Sequence, residues 1–242
     1  MMHKSIIAAA ALATSALVPS AASATSFAFA GSNNTNGSAG NVMTFTGSDN
    51  SKVEVSAYSL NGNNLTTATL KQYSGYGLGI TNSNDGDHEI DNSGWIDFVV
   101  LQFDRVVSVS SLGIFGFGDT DLTWAVGTTA TGFNPGTLSF ANYNALDNAF
   151  GAFTSSAGNY SYNQLLPRPV NGGALTGNLF IVAASMTGDD RNDRRNDSFK
   201  LNNLVSTPAV PEPATWGMMM MGLGLAGAMM RRSKANTAVS FA

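Results

Sequence analysis

The chain has 242 residues and a net charge of −4, with 12 Lys and Arg against 16 Asp and Glu. Charged residues make up only 12%, about half the share usual in a soluble domain. That excludes the basic field a nucleic-acid binder needs and the high charge of a disordered chain. Cysteine is absent and His3 and His88 are the two histidines, so disulfides, thiol catalysis and Cys-ligated metals are excluded. Abundant glycine with Ser, Thr and Asn favours short strands and turns over helices.

In chain order, the N-terminus reads as a secretory signal. Lys4 supplies the positive start, residues 6–18 the apolar stretch, Pro19 the break, and Ala22-Ser23-Ala24 the small residues a signal peptidase accepts. The apolar run is too short for the roughly 20 residues of a membrane span. Cleavage is expected after Ala24, which assigns residues 1–24 to the signal and makes signal peptidase and the secretion machinery partners.

Residues 25–205 should form one exported β domain. From 25 to 210 there are 8 basic and 15 acidic residues, a net −7. Strands are expected at 26–30, 41–46, 52–59, 65–73, 77–81, 95–103, 106–109, 111–116, 122–126, 178–185 and 198–205, with Gly, Asn and Asp turns between them. The run Lys52-Val-Glu-Val-Ser-Ala-Tyr58 alternates and predicts one wet face. Trp95-Ile-Asp-Phe-Val-Val-Leu-Gln-Phe103 is apolar on both faces and predicts a central strand covered twice. Residues 142–170 carry the weakest strand signal and suggest a long loop with a helical turn. The expected fold is all-β, a two-sheet sandwich of jelly-roll type. A Pro-rich tether is expected over 206–213.

The densest polar cluster runs from Asn82 to Asn92 and holds Asp85, Asp87, His88, Glu89 and Asp91 around Gly86. Hard oxygens around a turn suit Ca²⁺, which takes six to eight at about 2.4 Å. The spacing is not that of an EF-hand. Asp119 and Asp121, in another turn, could add ligands if the sheets bring the turns together. The competing reading is a polar hairpin whose Asx side chains cap their own backbone. His88 would have to serve any Ser-His-Asp triad, yet no Gly-x-Ser-x-Gly elbow exists; a structural hydrogen-bonding role beside Trp95 is expected instead. Glu54 and Glu89 are the only glutamates before the C-terminal segment, a poor basis for glycoside hydrolysis. The run from Asp189 to Asp197 mixes signs and reads as a solvated loop. Exposed aromatics among Tyr58, Tyr73, Tyr76, Tyr160 and Tyr162 could stack on sugar rings, while most of them are expected in the core or at its rim.

The C-terminus is the most specific stretch. Pro211-Glu212-Pro213 precedes Trp216 and an uncharged segment from Ala214 to Met230, which ends at Arg231 and Arg232 with Lys234 close behind. Seventeen residues reach about 25 Å as a helix, a marginal span. The basic stop should stay cytoplasmic, Trp216 is placed as an interfacial anchor, and residues 214–232 are expected to be a single transmembrane helix with 233–242 as a cytoplasmic tail.

This end resembles the PEP-CTERM sorting signal of Gram-negative envelope proteins, on the Pro-Glu-Pro, Trp216, the glycine-rich segment through Gly222, Gly224 and Gly227, and Arg231-Arg232. The resemblance implies recognition by an exosortase in the inner membrane and cleavage near the Pro-Glu-Pro. Gly77-Leu-Gly-Ile80, Asp85 to Asn92, Asp97 to Phe103, Gly118-Asp-Thr-Asp121 and Asp197-Ser-Phe-Lys-Leu201 resemble exosortase-dependent surface proteins, which implies a displayed β domain without an established activity. The expected function is that of a non-enzymatic surface protein associated with extracellular polysaccharide or biofilm matrix. The alternative is a calcium-stabilised carbohydrate-binding module; a hydrolase is the least favoured.

Overall fold

The computed structural model describes residues 23–31, 39–84, 86–186, 196–209, 219, 221–227 and 229. Residues 22–209 form one compact unit, and it is all-β. The strands are β1 (Thr25–Ala28), β2 (Ala39–Gly40), β3 (Val42–Thr46), β4 (Lys52–Asn61), β5 (Asn64–Thr67), β6 (Thr69–Tyr73) and β7 (Gly77–Thr81). They continue with β8 (Ile90–Asp91), β9 (Ile96–Gly116), β10 (Leu122–Gly127), β11 (Thr154–Ser156), β12 (Gln164–Pro169), β13 (Gly177–Ala184) and β14 (Ser198–Pro208). Helix α1 (Tyr143–Ala149) starts on Asn142, whose side chain accepts the Ala145 N–H, a standard N-cap.

The three strands expected between 95 and 116 are one strand of 21 residues, β9. Within it, Asp104, Arg105 and Val106 are exposed and separate two stretches with different neighbours. Its first half lies between β4 and β13, with Val99 opposite Ala57 on one side and Val182 on the other. Its second half lies between β12 and β14, with Ile114 opposite Leu166 and Leu201. All strands thus join one 14-stranded network, where two separate sheets are expected from the sequence. The core still draws on both halves of β9: Val99, Leu101 and Phe103 share one apolar cluster with Leu112, Ile114 and Phe199. Phe98 and Val100 point the other way, into a second cluster with Leu146 of α1, Phe150 and Ile181. The expectation that residues 95–103 are covered on both faces holds. Each fully buried Leu, Val or Phe contributes about 1.5–3 kcal/mol of transfer free energy.

Strand β4 corrects an expectation. Its alternation predicts a wet face, but residues 53–60 are all buried. The polar positions lie under the segment after β10: Glu54 accepts the Gly136 N–H at 2.5 Å, and Tyr58 donates to the Leu138 carbonyl. A covering loop distant in sequence leaves no trace in the local pattern. Burial raises the Glu54 pKa, and its hydrogen bonds from Gly136 and Ser56 oppose the rise. The weak region 142–170 contains the expected helical turn as α1, and also β11 and β12. Strand β12 was illegible because Pro167 and Pro169 suppress strand propensity; both lie on an edge strand, where proline is tolerated. The expected tether also begins later: β14 runs to Pro208, with Ser206 opposite Val109.

Ala24 is exposed and the next residue, Thr25, is buried at the start of β1. Ala22 lies outside the described residues, as do Pro211, Glu212, Pro213, Trp216, Arg231 and Arg232. Residues 219, 221–227 and 229 are helical. Among the described residues no helix is long and apolar enough to cross a membrane.

Candidate metal centre

The acidic residues converge where the β9–β10 turn meets the start of β14. An isolated parallel bridge joins Asp119 to Asp197. The Ser198 N–H donates to the Asp119 carbonyl at 2.8 Å and the Phe117 N–H to the Ser198 carbonyl at 2.9 Å. This stitching brings Asp119, Asp121 and Asp197 together, with one carboxylate oxygen from each within 4.8 Å of the others. Their exposures are 2%, 6% and 4%, far below what ionised carboxylates ordinarily tolerate.

The backbone supplies part of the compensation. Asp119 accepts the Thr120 N–H at 2.6 Å, Asp121 accepts the Gly158 N–H, and Asp197 accepts from the Asp121 N–H at 3.2 Å and from Asn92 Nδ2 at 2.6 Å. Among the described residues Arg168, on β12, is a cation coupled to them. Its pKa is lowered by burial and raised in return by Asp121 and Asp119. It is anchored on the carbonyls of Ser156 and Ala157. Three carboxylates this close repel one another when ionised. The result falls on Asp197: burial, then the charges of Asp121 and Asp119, push its pKa up to about 7. A divalent oxygen-seeking cation would remove that repulsion, and Ca²⁺ fits a carboxylate and carbonyl donor set.

Among the described residues, the carboxylates of the acidic turn are not grouped with these three. Asp85 lies outside the described residues and Asp87 is exposed. Glu89 is bound to Lys200 Nζ at 2.5 Å; burial would raise its pKa, but the hydrogen bond and charge of Lys200 outweigh that and leave it lowered. Asp91 is buried on β8 opposite Ser198 and accepts the Ser93 N–H at 2.8 Å. Among the described residues, Asp119, Asp121 and Asp197 are the acidic group with metal-ligand spacing. The turn contributes instead through Asn92, which both donates to the Asp197 carboxylate and accepts its N–H at 2.9 Å.

Asp197 is the residue that sequence reasoning missed. It closes the mixed-charge run expected to be solvated, yet it is buried; residues 187–195 lie outside the described residues. The available signal was its place at the head of an apolar strand, Asp197-Ser-Phe-Lys-Leu201. His88 is exposed, stacks on Tyr73 at 5.9 Å and shares a hydrogen bond with Thr81 Oγ1 at 3.0 Å. Its ring partner is thus Tyr73, where Trp95 is expected.

With the geometry in place, comparison with known proteins bears on the other end of the chain. Residues 209–233 match the PEP-CTERM protein-sorting motif. The chain carries a PEP-CTERM sorting signal. It begins directly after β14, whose last residue is Pro208. No curated protein and no solved structure matches the chain significantly.

The centre has a testable pH signature. Unfolded, Asp197 ionises near its ordinary value of 3.8; folded, it keeps its proton to about 7. Between those values the folded state binds more protons, so stability falls as pH rises. Metal-free protein in EDTA should lose a few kcal/mol of unfolding free energy from pH 4 to pH 7.5 through this group. In denaturant titrations Asp197→Asn should flatten most of that decline; an equally steep decline in the variant would contradict the assignment.

Proposed function

We propose that this is a non-enzymatic envelope protein of a Gram-negative bacterium, exported, held on the inner membrane by its C-terminal segment and cut there by an exosortase. The PEP-CTERM signal itself implies exosortase processing after export and membrane anchoring. The observation that carries the reading is its position. The β domain closes with Ala209 donating to the Val106 carbonyl at 3.0 Å, and the signal starts at that residue. Cleavage near Pro211-Glu212-Pro213 would release the whole domain without removing a strand. The low-charge polar surface and the sparse catalytic side chains support display in an extracellular polysaccharide or biofilm matrix rather than turnover of a substrate. Neither His88 nor Glu54 has the partners of a general base: one is an exposed stacked ring, the other a buried carboxylate committed to Gly136 and Ser56.

Replacing Pro211-Glu212-Pro213 with three alanines should leave export intact and retain the domain in the membrane fraction. A variant processed and released like wild type would contradict exosortase processing at this site.

The buried carboxylates favour one addition, structural calcium in the displayed domain. Binding to the folded state alone stabilises by about 2.7 kcal/mol at 100 times the dissociation constant. For a domain of this size each kcal/mol moves the melting temperature by roughly 2–4 °C. Millimolar calcium against excess EDTA should therefore shift melting by several degrees. Asp121→Asn should shrink the shift, whereas Asp87→Asn, on the exposed turn, should leave it. Identical melting curves in calcium and EDTA would remove calcium from the account.

A further inference from the structure

A second surface lies beside the carboxylate centre, on the face of the β12–β9–β14 region that turns its back on the core. Ile114 points into the core, so its neighbour Phe115 points out, and the register sets Leu165 and Lys200 on either side of it. Phe115, Phe117, Tyr76 and Tyr162 form a connected run of rings. Tyr76 meets Phe115 at 4.8 Å and Phe117 at 5.8 Å, Phe115 meets Phe117 at 5.5 Å, and Phe117 meets Tyr162 at 6.1 Å. The outer rings are open to solvent, Tyr76 by 40% and Tyr162 by 64%, and Leu165 by 51%.

The run is held from beneath. Lys200 Nζ lies 4.3 Å from the centre of the Phe117 ring and 4.6 Å from that of Tyr73, a cation–π arrangement, while its charge is engaged by Glu89 at 2.5 Å. Asn202 Nδ2 donates to the Gly75 and Tyr76 carbonyls, fixing the turn that carries Tyr76. That turn needs Gly77: its φ is +118° and a Cβ would fall 2.3 Å from the Leu201 carbonyl oxygen. Beside Phe115, Gly113 leaves room for the Asn203 amide, which a Cβ there would meet at 2.3 Å, and Asn203 donates to Asn202 Oδ1 at 3.0 Å. The Asn202 amide is buried and serves the turn, so the rings themselves make the solvent-facing surface.

We propose that this aromatic face binds an uncharged polysaccharide. Exposed contiguous apolar surface on a soluble domain marks an interaction site, and the chemistry here selects the partner. Flat rings with a polar tip accept the C–H faces of sugar rings, and the hydroxyls of the exposed Tyr76 and Tyr162 suit sugar hydroxyls rather than a hydrocarbon surface. The Lys200 charge is neutralised internally, and residues 25–210 carry a net −7, so a polyanion is repelled by the domain as a whole and the described residues of the face offer anionic lipid no counter-charge. The proposal rests on the surface-protein reading above and names the ligand class and the site.

The test is affinity electrophoresis of the full chain in detergent micelles, through native gels containing hydroxyethylcellulose, glucomannan or dextran, with alginate as the polyanion. At least one neutral polymer should retard the protein and alginate should not. Tyr76→Ala with Tyr162→Ala should weaken retardation by roughly 10-fold or more, about the 1.4 kcal/mol that a tenfold change represents. Tyr162→Phe, which keeps the ring, should retain it, and Leu175→Ala, an exposed change elsewhere, should have no effect. If the double variant melts below wild type, Tyr162→Ala alone gives the reading. The proposal is overturned if no neutral polymer retards the chain, if alginate retards it as strongly, or if the tyrosine variants bind like wild type. In the last case polysaccharide association survives and this surface does not, whereas failed exosortase processing would show only in the fractionation of the Pro-Glu-Pro variant.

Discussion

Two-sided burial of the first half of β9 is the constraint from which the rest of the structure follows. Val99 and Leu101 face one apolar cluster while Phe98 and Val100 face the other. Side chains on both faces of this strand interlock with close-packed clusters, so its pairings with β4 and β13 are held by packing as well as by hydrogen bonds. The same chain runs on through the exposed Asp104 to Val106 into the second half of the network. One strand thereby fixes the relative placement of β4, β12, β13 and β14.

That placement explains why function-bearing side chains gather at the end of β9. The turn leaving Gly116 carries Asp119 and Asp121 to the head of β14, where Asp197 waits in parallel bridge register. The outward-facing residues of the same strands, Phe115, Lys200 and Leu165, line up across three neighbours. Strand β14 serves both: Asp197 enters the carboxylate centre, and Lys200, three residues on, supports the rings. Thr120 and Arg168 then tie the loop at 156–159 to the centre through Asn159 and Ser156.

The all-β class was legible in the recurring β-branched and aromatic runs, and β7 was legible to the residue because glycine and threonine bound it. The apolar run 95–103 revealed its central position for the same reason that it folds there: both faces are greasy. What escaped were features made by distant segments. Glu54 and Tyr58 look like solvent-facing positions until the Gly136 and Leu138 segment covers them. Asp119 and Asp121 were recognisable as turn carboxylates, but their partner Asp197 is 76 residues beyond Asp121, inside a run whose average character is solvated. The acidic turn attracted attention by local density, yet Glu89 is neutralised by Lys200, 111 residues away. The sorting signal was fully legible because it is read as a linear segment and needs no tertiary partner.

Hydrogen exchange on the full chain in EDTA tests the central role of β9 most directly. Amides of residues 98–102, shielded on both faces and paired on both edges, should exchange only through global unfolding, with protection equal to the unfolding free energy measured by denaturant. Edge strands β2, β5 and β11 should exchange by local opening orders of magnitude faster. Protection of 98–102 no higher than that of the edge strands would contradict the account, because the strand that places every other element would then open on its own.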